Sequence, residues 1–144
     1  MYTLENGNID PNGSIGPFRL GMRWEEVTAI SRDFEIHSIG TSFEVLGGNI
    51  RLAVNTTTQQ VFHITVWGVF QGKLDGWLGI GTSWKNVNDR DLAYHQDDLC
   101  LYVLDQYPQM YFELGDTDSS KEWCEAGARI VRLGVNTPDC ELLM

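Results

Sequence analysis

A spacing of glycine, tryptophan and valine that occurs twice constrains the fold more than any other feature of this sequence. GMRWEEV occupies residues 21–27, and GTSWKNV occupies residues 81–87, sixty positions later. In each copy the tryptophan and the valine lie three residues apart, so they share one face of a helix. The glycine before them lets the chain turn from an extended segment into that helix. The pattern predicts two short helices, the first over residues 22–31, with Trp24 and Trp84 as core residues.

The segments that follow each helix have the alternation typical of strands. Residues 50–54 alternate between apolar and other side chains, and residues 61–67 are rich in β-branched and aromatic types. A shift of 60 residues aligns the apolar positions of 50–54 with those of 110–114, and a shift of 69 aligns 61–67 with 130–136. The sequence therefore predicts an α+β fold in which short helices accompany antiparallel β-meanders.

These matches follow each other in the same order along the chain, which favours an internal repeat. We predict a single domain over residues 1–144, with repeat units at 15–67 and 75–136. The second unit is nine residues longer, and the excess falls in an acidic loop within 115–129. One helix on three or four strands is marginal alone, so the units must share a core or extend one sheet. The sequence leaves both arrangements open.

The charge is strongly negative and unevenly distributed. The chain has 20 acidic and 10 basic residues, a net charge of −10, and most of the excess lies in residues 73–144. Such a surface repels phosphate backbones and anionic membranes, so neither nucleic acid nor a membrane is an expected partner. It attracts a basic protein and speeds the encounter with it. Solubility alone also explains acidic surfaces, and both interpretations stay open.

The cysteines and the N-terminus indicate a cytoplasmic protein. The three cysteines are odd in number and lack CxxC spacing, which is typical of a reducing compartment. The chain does not open with a basic segment followed by an apolar one, as a secretory signal does. No window of 18 residues is uninterruptedly apolar, so no membrane span is expected.

No motif in the sequence predicts catalysis. HExxH, GxxxxGK[ST], GxGxxG and GxSxG are all missing from the sequence. His37 and His63 alternate with apolar neighbours and are expected to be structural strand residues. The stretch YHQDDLC at 94–100 brings His95, two aspartates and Cys100 together, but in a strand His95 and Cys100 face opposite sides. We expect no enzyme, no cofactor and no metal, and keep as the alternative a small hydrolase or metal-dependent enzyme that uses His95 and Cys100.

Two groups of acidic residues are candidates for binding a partner. One pair lies in the YHQDDLC stretch, and the other group surrounds a tryptophan in the extra loop of the second unit. An exposed aromatic ringed by carboxylates suits a partner rich in lysine and arginine. The competing interpretation is a solvated loop with its tryptophan tucked underneath. The predicted partner-binding residues are Asp97, Asp98, Asp116, Asp118, Glu122, Trp123 and Glu125.

The run IGPFRLGMRWEEV, residues 15–27, resembles the opening of small bacterial proteins that combine an extended arm, a short helix and a meander. Tandem units of this kind are similar to the β-lactamase-inhibitor protein, although the second copy has GIGTSW where the first has LGMRW. Small acidic proteins of such architecture also resemble bacterial immunity proteins, including those of contact-dependent growth inhibition. This resemblance implies a non-catalytic protein that occludes the active site of a basic toxin domain, such as a nuclease. A chaperone-like secretion adaptor is the further alternative.

Overall fold

The computed structural model describes residues 1–98, 101–115 and 127–138, which form two short helices and eleven strands. The helices are α1 (Trp24–Ile30) and α2 (Trp84–Asp89). A small sheet contains β1 (Ile9–Asp10), β2 (Ser14–Ile15) and β3 (Phe18–Arg19). The large sheet contains β4 (Glu35–Ile39), β5 (Ser42–Leu46), β6 (Ile50–Asn55), β7 (Val61–Trp67), β8 (Tyr94–Asp98), β9 (Leu101–Leu104), β10 (Met110–Gly115) and β11 (Arg129–Asn136). The predicted fold class, α+β with mainly antiparallel strands and short helices, is confirmed.

The large sheet is built from two four-stranded meanders joined at its centre. Its strand order is β4-β5-β6-β7-β11-β10-β9-β8, and all neighbours are antiparallel. The last strand of the first meander, β7, pairs with the last strand of the second, β11, so that Ile64 lies opposite Val135. The two halves therefore extend one sheet, which settles the arrangement that the sequence leaves open. Whether the halves arose by duplication stays a prediction.

The glycine before each helix takes the left-handed backbone conformation that its position requires. Gly21 has φ 83° and Gly81 has φ 88°, a region that other residues enter only at a cost. The backbone N–H of Gly21 donates to Val61 O at 2.8 Å, and that of Gly81 donates to Ile130 O at 2.7 Å. Each turn is thereby fastened to the start of the last strand in its own half of the sheet.

The two repeated tryptophans pack on the same side of the large sheet but to different depths. Trp84 is fully buried, and its ring centroid lies 5.2 Å from those of Tyr94 and Tyr102. Trp24 is only partly buried and meets Phe43 edge-on at 5.2 Å. The predicted core position is therefore confirmed for Trp84 and only in part for Trp24.

Both helices lie against one face of the large sheet, here called the inner face. Strand alternation directs Leu52, Ile64 and Leu133 to this face, where they are fully buried in a common core with Val27 of α1 and Val87 of α2. The alternate residues of the same strands form the outer face. Neither helix of the described residues approaches the length that a bilayer crossing requires.

A buried asparagine fastens the N-terminal segment to the large sheet. Asn49, in the turn between β5 and β6, is 4% exposed. Its Oδ1 accepts a hydrogen bond from Leu4 N at 2.7 Å, while its Nδ2 donates to Leu4 O at 2.5 Å and to Trp67 O at 3.2 Å. The side chain thus replaces a missing strand neighbour and satisfies backbone groups that burial removes from water.

Candidate functional site

The outer face of the large sheet has no helix over it among the described residues, and its centre carries a connected group of polar side chains. His63 Nε2 lies 2.6 Å from Thr65 Oγ1 and 2.8 Å from Tyr111 Oη, and the two hydroxyls also contact each other. These three residues come from β7 and β10, which are separated by β11. Tyr111 can reach across because Gly134 of β11 lies beneath its ring. A Cβ built on Gly134 would lie 2.6 Å from that ring.

Burial keeps both titratable groups of this cluster neutral. Desolvation, with a smaller contribution from the positive charge of Arg51, lowers the pKa of His63 to about 4. Desolvation also raises the pKa of Tyr111 to about 12. Acid–base catalysis at neutral pH favours a group whose pKa lies near the working pH. The cluster is therefore better suited to fixing side-chain positions than to moving protons.

Two ion pairs flank the cluster and fix the arginines of the outer face. Arg51 contacts Glu44 on one side. On the other, Arg132 Nε lies 3.3 Å from Glu113 Oε2, and the Arg132 guanidinium lies 5.0 Å from the ring centroid of Trp67. Tyrosine, tryptophan and arginine are the residue types that dominate the binding energy of protein interfaces. Here they are held in place by their neighbours on the sheet.

Two grooves meet at this centre. The first, here called the β8–β10 groove, has a volume of about 480 Å³ and runs from His63 to His95 and Asp97. The second, here called the β4–β6 groove, has a volume of about 530 Å³ and runs towards Ile39 and Phe62. Arg51 and His63 line both grooves. The two grooves therefore adjoin at the polar cluster in the centre of the outer face.

The structure places few of the predicted partner-binding residues. Asp97 is exposed on β8 and lines the β8–β10 groove. Asp98 ends the same strand, but its side chain is not among the described ones. Cys100 and five predicted residues lie outside the described ranges: Asp116, Asp118, Glu122, Trp123 and Glu125. His95 is exposed, and its Nδ1 lies 3.3 Å from Asp105 Oδ1.

Sequence reasoning did not find the central cluster. Alternation along β7 correctly predicts that His63 faces away from Ile64, and it equally places Thr65 on the outer face. The contact with Tyr111 depends on strand register across β11, over 48 residues of sequence. A period of two within one strand contains no information about that register.

Among the described residues, no three histidine, cysteine, aspartate or glutamate side chains lie close enough together to hold a metal ion. Comparison of the chain with protein-family models, with curated proteins and with solved structures finds no match. Function has to be inferred from the residues themselves.

Proposed function

We propose that this chain is a cytoplasmic immunity protein that binds a basic toxin domain and covers its active site without catalysing a reaction. The observation that carries the proposal is the prearranged centre of the outer face. Tyr111, Trp67 and Arg132 are held there by hydrogen bonds, an ion pair and ring contacts before any partner arrives. Binding costs less when interface side chains are already ordered, because less conformational freedom is lost on association.

The charge of the chain favours a basic partner over nucleic acid. The net charge of −10 attracts a cationic domain over distances of about a Debye length, roughly 8–10 Å at physiological salt. On the outer face, Arg51 and Arg132 are each paired with a glutamate. They therefore do not form a patch that would attract phosphate. A toxin that acts on phosphate esters needs a cationic cleft, which an acidic protein is suited to fill.

The alternative functions stay open as predictions. The enzyme hypothesis requires His95 and Cys100 to act together, and Cys100 lies outside the described residues. The adaptor hypothesis requires several partners, whereas an immunity protein binds one toxin closely. A pull-down separates the adaptor from the immunity protein, and the enzyme hypothesis is tested by whether His95→Ala removes an activity.

Co-expression with a basic toxin domain, sought first in the neighbouring reading frame, tests the proposal. We expect the chain to restore growth and to bind a catalytically inactive form of that domain, with an association rate that falls steeply as salt rises. Absence of both growth rescue and binding would refute the proposed function.

Matched arginine variants test the outer face itself. Arg132→Ala removes from the outer face an arginine that is ion-paired to Glu113. We expect this variant to bind the toxin domain at least tenfold more weakly. Tenfold corresponds to about 1.4 kcal/mol, which is an ordinary loss for an interface arginine. Arg19→Ala is the control, because Arg19 is similarly exposed and ion-paired to Glu26 of α1. Equal effects of the two variants would place the interface elsewhere.

A further inference from the structure

We propose that the β8–β10 groove is a subsite for one cationic side chain, arginine or lysine, anchored by Asp97. That this side chain belongs to a toxin rests on the proposed function. The preference of the groove for a cation follows from this chain's own residues.

A β-bulge sets the position of the anchoring carboxylate. The pairing of β8 with β9 matches Gln96 with Tyr102 and Asp98 with Leu101, so Asp97 is the extra residue between two ladder positions. Bulges re-aim a side chain away from the regular alternation of a strand, and they are frequent beside functional sites. Here the bulge leaves Asp97 exposed and lining the groove.

An apolar shelf lies beside that carboxylate. Leu101 and Val103 of β9 are partly buried and line the same groove, and Tyr111 follows towards the centre of the sheet. Arginine and lysine carry an aliphatic stem below a charged head, and they place the stem along apolar surface while the head stays near water or a counter-ion. A shelf of this kind next to a carboxylate matches both parts of such a side chain.

The balance of charge in the groove selects the sign of the ligand. Of the charged groups that line it, Arg51 is paired with Glu44, and Arg132 is paired with Glu113. Asp97 forms no ion pair with any described residue. Among the described residues that line the groove, the uncompensated charge is therefore negative, which disfavours a carboxylate or a phosphate and favours a cation.

The size of the groove suits one residue with its flanking backbone. Its volume of about 480 Å³ lies within the roughly 300–1,000 Å³ range of sites that hold small ligands. The subsite can therefore be probed with a single blocked amino acid.

An NMR titration of the full chain with N-acetyl-arginine amide tests the subsite. We expect binding with a dissociation constant on the order of 1 mM, as for a weak ligand of this size. The backbone amides of Asp97, Leu101 and Val103 should shift with the bound fraction. N-acetyl-citrulline amide, which is neutral and similar in shape, should bind at least threefold more weakly, as should the arginine amide to Asp97→Asn.

Glu25→Gln is the matched control, because it removes one exposed negative charge from α1 on the opposite side of the sheet. It should bind the arginine amide as the parent chain does. Equal binding of citrulline and arginine amides, shifts confined to other surfaces, or unchanged binding by Asp97→Asn would each overturn the subsite.

These outcomes are independent of the toxin experiment. Binding of the arginine amide, together with a failure of both growth rescue and toxin binding, would remove the proposed function and keep the cation subsite. If Asp97→Asn left growth rescue and toxin affinity unchanged, the proposed function would stand. The β8–β10 groove would then not be where the toxin's cationic side chain binds.

Discussion

Acid should destabilise the protein through His63, and the effect can be calculated from its surroundings. The pKa of His63 is about 4 in the folded chain, against 6.5 for a free histidine side chain. At a pH between these two values, His63 is protonated in the unfolded chain and neutral in the folded chain. The stabilising contribution is complete above pH 6.5 and is lost as the pH falls towards 4.

The size of this loss follows from the pKa difference. A difference of 2.5 units at 1.36 kcal/mol per unit corresponds to about 3 kcal/mol in total, of which about 2 kcal/mol should be lost between pH 7 and pH 4.5. That is a large part of the roughly 5–15 kcal/mol by which ordinary domains are stable. The chain also has 20 acidic residues, so the contribution of His63 must be measured as a difference between two proteins.

His63→Gln provides that difference, because glutamine can place an amide near the position of Nε2 but does not titrate. Urea unfolding of both proteins, followed by tryptophan fluorescence from pH 7.5 to pH 4.5, gives the two free energies of unfolding. Over this pH range, we expect the free energy of unfolding of the variant to fall by about 2 kcal/mol less than that of the parent chain. The same substitution at the exposed His37 controls for the loss of a histidine as such. Parallel pH profiles for the parent chain and His63→Gln would show that burial does not suppress protonation of His63.

Three further substitutions test the fold. Asn49→Ala leaves buried backbone groups without partners and should lower the free energy of unfolding by about 2–3 kcal/mol, measured in urea, with release of the N-terminal segment to proteolysis. Gly134→Ala drives a Cβ into the ring of Tyr111 and should cost about 1–3 kcal/mol in urea unfolding, a penalty that a second change, Tyr111→Ala, should abolish. Gly81→Ala meets no neighbouring atom, so its expected cost of about 1–2 kcal/mol is purely the left-handed backbone. A Cβ at Gly127 also meets no neighbouring atom, but Gly127 does not have the left-handed conformation, so calorimetry should show a smaller loss of stability for Gly127→Ala than for Gly81→Ala. Equal losses for the two variants would contradict this reasoning.

The sequence predicts elements of this fold well where a pattern repeats over several residues. The helix expected over 22–31 is found at Trp24–Ile30, and the strands expected over 50–54 and 61–67 are found at Ile50–Asn55 and Val61–Trp67. The small sheet of two-residue strands has no detectable period, because two residues are too few to show one.

The candidate site was predictable only in part. Asp97 is predicted as a partner-binding residue because charge is visible in sequence, and the structure adds the bulge and the apolar side chains beside it. Its role in binding stays a prediction. The cluster of His63, Thr65 and Tyr111 was not found, because it is formed by strand order and register. Both depend on tertiary packing of residues far apart in the chain.

The junction of β7 and β11 has a consequence for how the chain can be made. β7 is complete at Trp67, but the strand that covers its free edge begins only at Arg129. During synthesis, the edge of the segment VFHITVW that later pairs with β11 therefore keeps its N–H and C=O groups unpaired until the second half has emerged. Several apolar side chains stay exposed for the same time. Such an uncovered strand is a template for association between nascent chains. Fragments that end before residue 129 should accordingly aggregate where the full chain does not. A chaperone that binds nascent chains should keep these fragments in solution.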